Sequence, residues 1–334
     1  MTVAGRYQGT KFSGAPRRRW LGAAVVLAAC AVVAGCGPGR ENAGEGPLPV
    51  AVSVTPQAWL VKQIGGERVD VITVVQPGAS PATYQPTDAE VSRVMSAVIY
   101  FRIGVPFENG AWFSAIQSAG AMEIVDTRGN IQLRDIEAHR HDDEHAHEEH
   151  DHADEGHEHV CDHACGKDPH IWLSPPLLKR QAALIAEALA AAAPDHAGEF
   201  DENLQSLRAR LDAVDAEIRE RLAPHEGQAF FVFHPAWGYF ADEYGLTQIA
   251  IEVEGKEPSD SELTEVQRQA RESGAQVIFV QPQISGQSAE AVARAIGGRV
   301  EQLDPLAEDV AAGLLSAADA IAQSLNSSTT TAEH

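Results

Sequence analysis

Ten of the fourteen histidines fall between His139 and His170, and twelve aspartates or glutamates are interleaved with them from Asp135 to Asp162. Neutral imidazole is a good ligand for zinc, copper and nickel, and nearby carboxylates raise the local cation concentration and can complete a coordination shell. His139, His141, His145, His147, His150, His152, His157, His159 and His163 are therefore read as auxiliary metal ligands. The segment that carries them, at about 137–167, cannot bury a core and is expected to be disordered when metal-free. A solvated acidic insertion is the plainer alternative; a cloning tag would sit at a terminus, and this stretch is internal. Cys161 and Cys165 flank His163. In an oxidising compartment two exposed cysteines this close favour a disulfide, with a Cys/His zinc site as the alternative.

A histidine loop collects ions, whereas selective binding needs ligands fixed on rigid elements. Three segments have that form. Asp168-Pro169-His170-Ile171-Trp172-Leu173-Ser174-Pro175 leaves the acidic loop and enters a helix, and Phe233-His234-Pro235-Ala236-Trp237 places His234 at the end of an apolar strand. Leu303-Asp304-Pro305-Leu306 places Asp304 at the end of another. Singly, a His or Asp at a strand end more often caps or hydrogen-bonds, and Asp304 before Pro305 could simply start a turn. Together they read as a site. Trp172, Trp237, Tyr239 and Phe240 are expected in the core and cleft wall, and Glu252, Glu254, Lys256 and Glu257 on a solvated charged loop.

The elements that must position these residues follow from periodicity. Apolar β-branched runs at 50–54, 69–75, 97–103 and 123–126 alternate with helix-like stretches from Pro56, over 87–95 and near 109–118. That alternation predicts a mostly parallel sheet. Residues 177–193 are rich in Ala and Leu, and Phe200, Leu204, Leu207, Leu211, Val214 and Ile218 recur every three or four residues. The second stretch, 197–222, predicts a helix of about 39 Å that Pro224 ends, long enough to cross two lobes. Strands follow at 229–233, 248–253, 276–280 and 299–303, with helices through Trp237 and Phe240, over 261–273 and 289–296, and from Glu308. The expected fold is α/β: two Rossmann-like lobes with mostly parallel sheets, at 48–196 and 223–325, joined by one long rigid backbone helix and followed by a tail at 326–334. At 334 residues each lobe is large enough to carry its own core.

The net charge of -23, with no cluster of Lys and Arg after the first nineteen residues, excludes a nucleic-acid partner and favours cations. Arg17, Arg18 and Arg19 precede an apolar run at 20–35, which is a signal-peptide core too short and wrongly flanked for a membrane span. Val33-Ala34-Gly35-Cys36 looks like a lipobox, making Cys36 the lipidated N-terminus of the mature chain. Cutting before Cys30 would leave an apolar stub. The arginines and Trp20-Leu21 leave a twin-arginine export route open, and 36–47, rich in Gly and Pro, is read as a flexible tether.

With these motifs in this order, the chain resembles the zinc and manganese solute-binding proteins of ABC importers, particularly their zinc branch, from about residue 50 to the closing helix. The resemblance implies a metal site in the cleft between lobes, a rigid linking helix, and delivery to a membrane permease with a cytoplasmic ATPase. By the family pattern His170, His234 and Asp304 would be the ligands, the first from the N-terminal lobe and the others from the C-terminal lobe. Two nitrogens and a carboxylate suit Zn2+ as cargo; Mn2+ would ask for more carboxylate, and Cu2+ or Ni2+ could occupy such imidazoles. The pattern departs at Ser80-Pro81-Ala82-Thr83-Tyr84-Gln85-Pro86, where Ala82 stands in place of a usual ligand histidine. Water, a loop histidine or Gln85 could fill that position. The implied protein is a monomeric, lipid-anchored, extracytoplasmic zinc carrier whose loop collects metal. Its alternatives are an extracellular zinc buffer or adhesin without a transporter, and a zinc hydrolase, for which the sequence shows neither an HExxH helix nor a GxSxG turn.

Overall fold

Runs of β-branched and aromatic residues only four or five long, set between amphipathic stretches, fold as two parallel sheets. The structure is a computed structural model and describes residues 46–136, 166–252, 259–284 and 287–331. The proposed signal peptide, Cys36, the histidine loop, and Cys161 with Cys165 lie outside the described residues, as do Glu254, Lys256 and Glu257.

The first sheet comprises β1 (Leu48–Val52), β2 (Val69–Thr73), β3 (Ile99–Arg102) and β4 (Glu123–Asp126) in the order β2-β1-β3-β4. The second repeats that order with β5 (Ala229–Val232), β6 (Thr247–Ala250), β7 (Val277–Val280) and β8 (Arg299–Gln302), as β6-β5-β7-β8. Every pairing is parallel. The order reverses between β1 and β3 and again between β5 and β7. Loops leaving neighbouring strands there diverge and open a crevice outside the carboxyl ends, where α/β sheets place ligands.

Helices α1 (Thr55–Gly65), α2 (Asp88–Val94) and α3 (Ala111–Ala119) link the first four strands, and α4 (Pro175–Ala192) follows the histidine loop. Ser174 caps α4 by accepting from Leu177 N at 3.4 Å, with Pro175 and Pro176 in the first turn where missing N–H groups cost nothing. The linking helix α5 spans Ala197–Leu222, and α6 (Gly238–Glu243), α7 (Asp260–Glu272), α8 (Gln287–Ile296) and α9 (Val310–Thr331) complete the second unit. Thr87 and Glu90 close a capping box on α2, as Ser259 and Glu262 do on α7.

Separate cores were expected for the two lobes, but one buried cluster runs through both. The reason is α5. Phe200, Leu204, Leu207, Leu211, Val214, Ile218 and Leu222 form one buried stripe, and the helix packs against α1 and α4 on one side of the molecule and α9 on the other. Each such side chain contributes roughly 1.5–3 kcal/mol of transfer free energy, shared between both halves. The second sheet also has a smaller cluster on its far face. Along β5 and its extension, Phe230 and Val232 face the shared core, while Phe231 and Phe233 face Val266 and Val292 of α7 and α8, the alternation a pleated strand requires. The closing helix reaches Thr331, into the stretch read as a tail; Ser327 Oγ bonds back to Gln323 O at 2.9 Å within it. Among the described residues no helix is long and apolar enough to cross a membrane.

Candidate metal centre

Pro169 O accepts from Ile171 N at 2.8 Å, turning the chain into a short 3-10 turn at Ile171–Leu173, whose three side chains are all buried. They anchor His170, the residue at the start of that turn. Trp172 Nε1 donates to Pro305 O at 2.7 Å, tying this turn to the loop after β8. Asp168 then fixes the imidazole: its Oδ1 accepts from His170 N at 2.9 Å and lies 2.7 Å from His170 Nδ1. Burial pushes His170 below its usual imidazole value, the neighbouring His234 adds to this, and Asp168 pulls the other way. The net result favours the neutral ring, the form that ligates metal.

His234 comes from β5. Phe233 extends that strand, donating from its N to Phe279 O at 2.7 Å, and His234 is the first residue beyond it. Its Nδ1 lies 3.1 Å from Glu252 Oε2. Glu252 is placed by the sheet, since its N–H donates to Phe233 O at 2.8 Å. It is 6% exposed, so it belongs to the site wall rather than to solvated surface. Beta-sheet pairing alone brings this partner to His234, and the charged run around it in the sequence conceals its burial.

The two imidazoles face one another with ring centroids 5.3 Å apart and planes at 77°. Asp304 lies at the end of β8 and makes the turn expected before Pro305. Its Oδ1 accepts from Leu306 N at 3.0 Å and from Gln283 Nε2 at 3.0 Å. With Leu173 and Trp237, neighbours of the two histidine motifs, it lines a void of about 10 Å³. The structure thus pairs His170 with His234 and keeps Asp304 bonded in its own turn. Among the described residues, no three His, Cys, Asp or Glu side chains form a group arranged to hold a metal ion.

Ala82 is exposed in the turn after β2, as is Gln85, and the turn is held by Ala82 N bonding to Ser80 Oγ at 3.3 Å and by Tyr84 Oη donating to Glu90 Oε1 at 2.7 Å. A groove of about 780 Å³ runs beside edge strand β2, lined by residues including Trp59, Lys62, Gln76 and Arg93, and it contains none of the candidate ligands. Trp172, Trp237, Tyr239 and Phe240 are buried as expected.

Comparison with known proteins converges on one family. The family described as "Zinc-uptake complex component A periplasmic", ZnuA, matches residues 50–327. The high-affinity zinc uptake system protein ZnuA of Bacillus subtilis (strain 168) is 29% identical over 298 residues, covering 86% of this chain and 89% of its own. A crystal structure of ZnuA is similar at TM-score 0.73 and 35% identity, covering 84% of this chain and 99% of that one. A deletion mutant of ZnuA with zinc bound gives TM-score 0.72 and 35% identity, covering 83% and 98%. These are extracytoplasmic binding components rather than enzymes, and this chain belongs to the ZnuA family of periplasmic zinc-uptake proteins.

Proposed function

We propose that this chain captures Zn2+ between its lobes, with His170 and His234 as nitrogen ligands and Asp304 as the carboxylate, and delivers it to the permease of an ABC importer. The observation that carries the reading is the pair of facing imidazoles, each with Nδ1 against a buried carboxylate. A carboxylate on one ring nitrogen fixes the ring and directs the other, Nε2, at the ion. Two imidazoles on one tetrahedral zinc, with Zn–N near 2.0–2.1 Å, put their ring centroids about 5.2 Å apart. The observed separation is 5.3 Å.

Asp304 completes the set through Oδ2, because Oδ1 is held by Leu306 N and Gln283 Nε2. Three protein ligands leave the fourth tetrahedral position open to water. The histidine loop acts as collector, and Cys36 anchors the monomeric protein to the membrane by lipid. A zinc-bound ZnuA deletion mutant of the same fold supports zinc as cargo.

The test is competition titration of the full chain against a chelator. Replacing His170 and His234 together by Ala is expected to weaken zinc binding more than a hundredfold, since two of three protein ligands are lost. Deleting 139–163, which removes the nine loop histidines and leaves Gly166 in place, should remove only weaker sites. Tight binding that survived the double substitution would place the site elsewhere.

A further inference from the structure

We propose that Tyr239 and Arg134 form a clasp between the lobes that positions His170 for the ion; this rests on the ligand reading above. The N-terminal side of the clasp is a short antiparallel ladder. Asp168 N donates to Arg134 O at 3.0 Å, Ile136 N donates to Gly166 O at 2.5 Å, and Asp135 bridges Lys167. His170 begins two residues beyond this ladder, so whatever holds the ladder holds the imidazole.

The C-terminal side is the first turn of α6. The Tyr239 hydroxyl accepts from Arg134 N at 3.0 Å and donates to Asp168 O at 2.9 Å, so one group ties both strands of the ladder to the helix. Tyr239 is 7% exposed, which makes loss of either bond costly because no bulk water replaces it. The helix follows His234 by a few residues, so the same hydroxyl sets the spacing of the two imidazoles.

Arg134 completes the clasp with its side chain. Its Nε lies 3.2 Å from Asp242 Oδ2, its guanidinium sits 5.8 Å from the Tyr239 ring centroid, and its Nη1 is 3.8 Å from Asp168 Oδ2. Asp168 Oδ2 is buried and accepts no hydrogen bond among the described residues, while Oδ1 is occupied by His170. The arginine charge therefore faces the unoccupied oxygen of the very carboxylate that orients the ligand. Gly238 makes this passage possible: a Cβ there would stand 1.2 Å from Arg134 Nη1.

Arg219 provides an internal control. It makes the same kinds of contact at the other end of α6, with Glu243 and Asp215 and over the Tyr244 ring at 5.3 Å, and among the described residues it pairs with neither Asp168 nor His170. The experiment uses the full chain with Tyr239→Phe, Gly238→Ala and Arg219→Met, measuring zinc affinity by chelator competition and amide hydrogen exchange over 166–173 in the metal-free protein. Tyr239→Phe is expected to weaken zinc about tenfold, the lower range for groups that orient a metal-bound histidine, and to speed exchange at Asp168 and the following turn. Gly238→Ala, which by helix propensity alone would stabilise α6, should do the same by evicting Arg134. Arg219→Met should lower the melting temperature and leave affinity unchanged. Wild-type affinity and exchange in Tyr239→Phe, with only a lower melting temperature, would overturn the clasp. The exchange readout needs no metal, so it decides the clasp even if the His170/His234 double substitution shows the ligands to be elsewhere.

Discussion

The two sheets share one strand order and use their carboxyl ends in opposite ways. In the first, the strand ends close on themselves. Ser53, beyond β1, donates through Oγ to Glu108 and bonds Tyr100 Oη at 2.8 Å. Glu108 also accepts from Ile103 N at 2.9 Å, Gly104 N at 2.7 Å and Arg102 Nε at 3.3 Å. Gln57 spans Ser53 N, Phe101 O and Thr127 Oγ1. In the second sheet, His234, Glu252 and Asp304 stand beyond β5, β6 and β8, where His234 Nδ1 faces Glu252 Oε2 and Asp304 Oδ1 accepts from Leu306 N. Among the described residues, the first lobe reaches the proposed site through the later Asp168–His170 segment. A shared topology therefore offers the same crevice twice. Only side-chain chemistry decides which copy becomes a stable knot and which the proposed ligand shell.

The comparison breaks most directly at Glu108. Replacing it by Ala removes the acceptor for two backbone N–H groups and the partner of Arg102, and is expected to lower unfolding free energy by about 3–5 kcal/mol, the range for breaking a buried charged pair. Denaturant titration measures this. Zinc affinity in the same variant should stay within about twofold of wild type, since the knot holds none of the proposed ligands. A large loss of affinity would mean that the two sets of strand ends act as one.

The reverse pattern is expected at Glu252 and Asp168. Glu252→Gln and Asp168→Asn keep the shape and remove the charge behind an imidazole, so affinity should fall about ten- to a hundredfold. Metal-free stability should change less than in the Glu108 variant. Chelator competition and thermal melts on the same samples separate the two effects. Unchanged affinity in both would reduce these carboxylates to ordinary neighbours.

Much of this arrangement is written in local sequence. The helix expected at 197–222 is α5 residue for residue, because an unbroken three- and four-residue apolar spacing ends at Leu222 with Pro224 close behind. The strand expected at 123–126 is β4. Other strands differ at their ends: 97–103 shortens to Ile99–Arg102, where pairing with β1 starts only at Ile99, and 248–253 shifts to Thr247–Ala250. What was not legible depends on pairs distant in sequence. Glu252 reads as one charge among several, and only β5–β6 pairing carries it to His234. Arg134 and Asp168 flank the long histidine segment and meet through main-chain bonds that leave no periodic trace. The single shared core escapes a lobe-by-lobe reading because both lobes spend their apolar faces on the same helix.

The smallest expected effect distinguishes the lobes by the sign of their pH dependence. Burial lowers the folded-state value of His170 and raises that of Glu108. As pH falls through the ordinary imidazole range, near 6.5, the unfolded chain takes up the His170 proton first, so this group reduces the stability of the metal-free protein on acidification. Glu108 acts oppositely. The folded chain takes up its proton first, so its contribution is fully present below the ordinary carboxylate value and is lost as pH rises through the raised one. Denaturant midpoints of the metal-free protein, compared between neutral and mildly acidic pH, should fall less steeply on acidification in His170→Gln than in wild type. They should fall more steeply in Glu108→Gln, which removes the opposing group. Equal slopes in all three proteins would mean that neither side chain changes its proton affinity on folding, and the electrical contrast between knot and ligand shell would disappear.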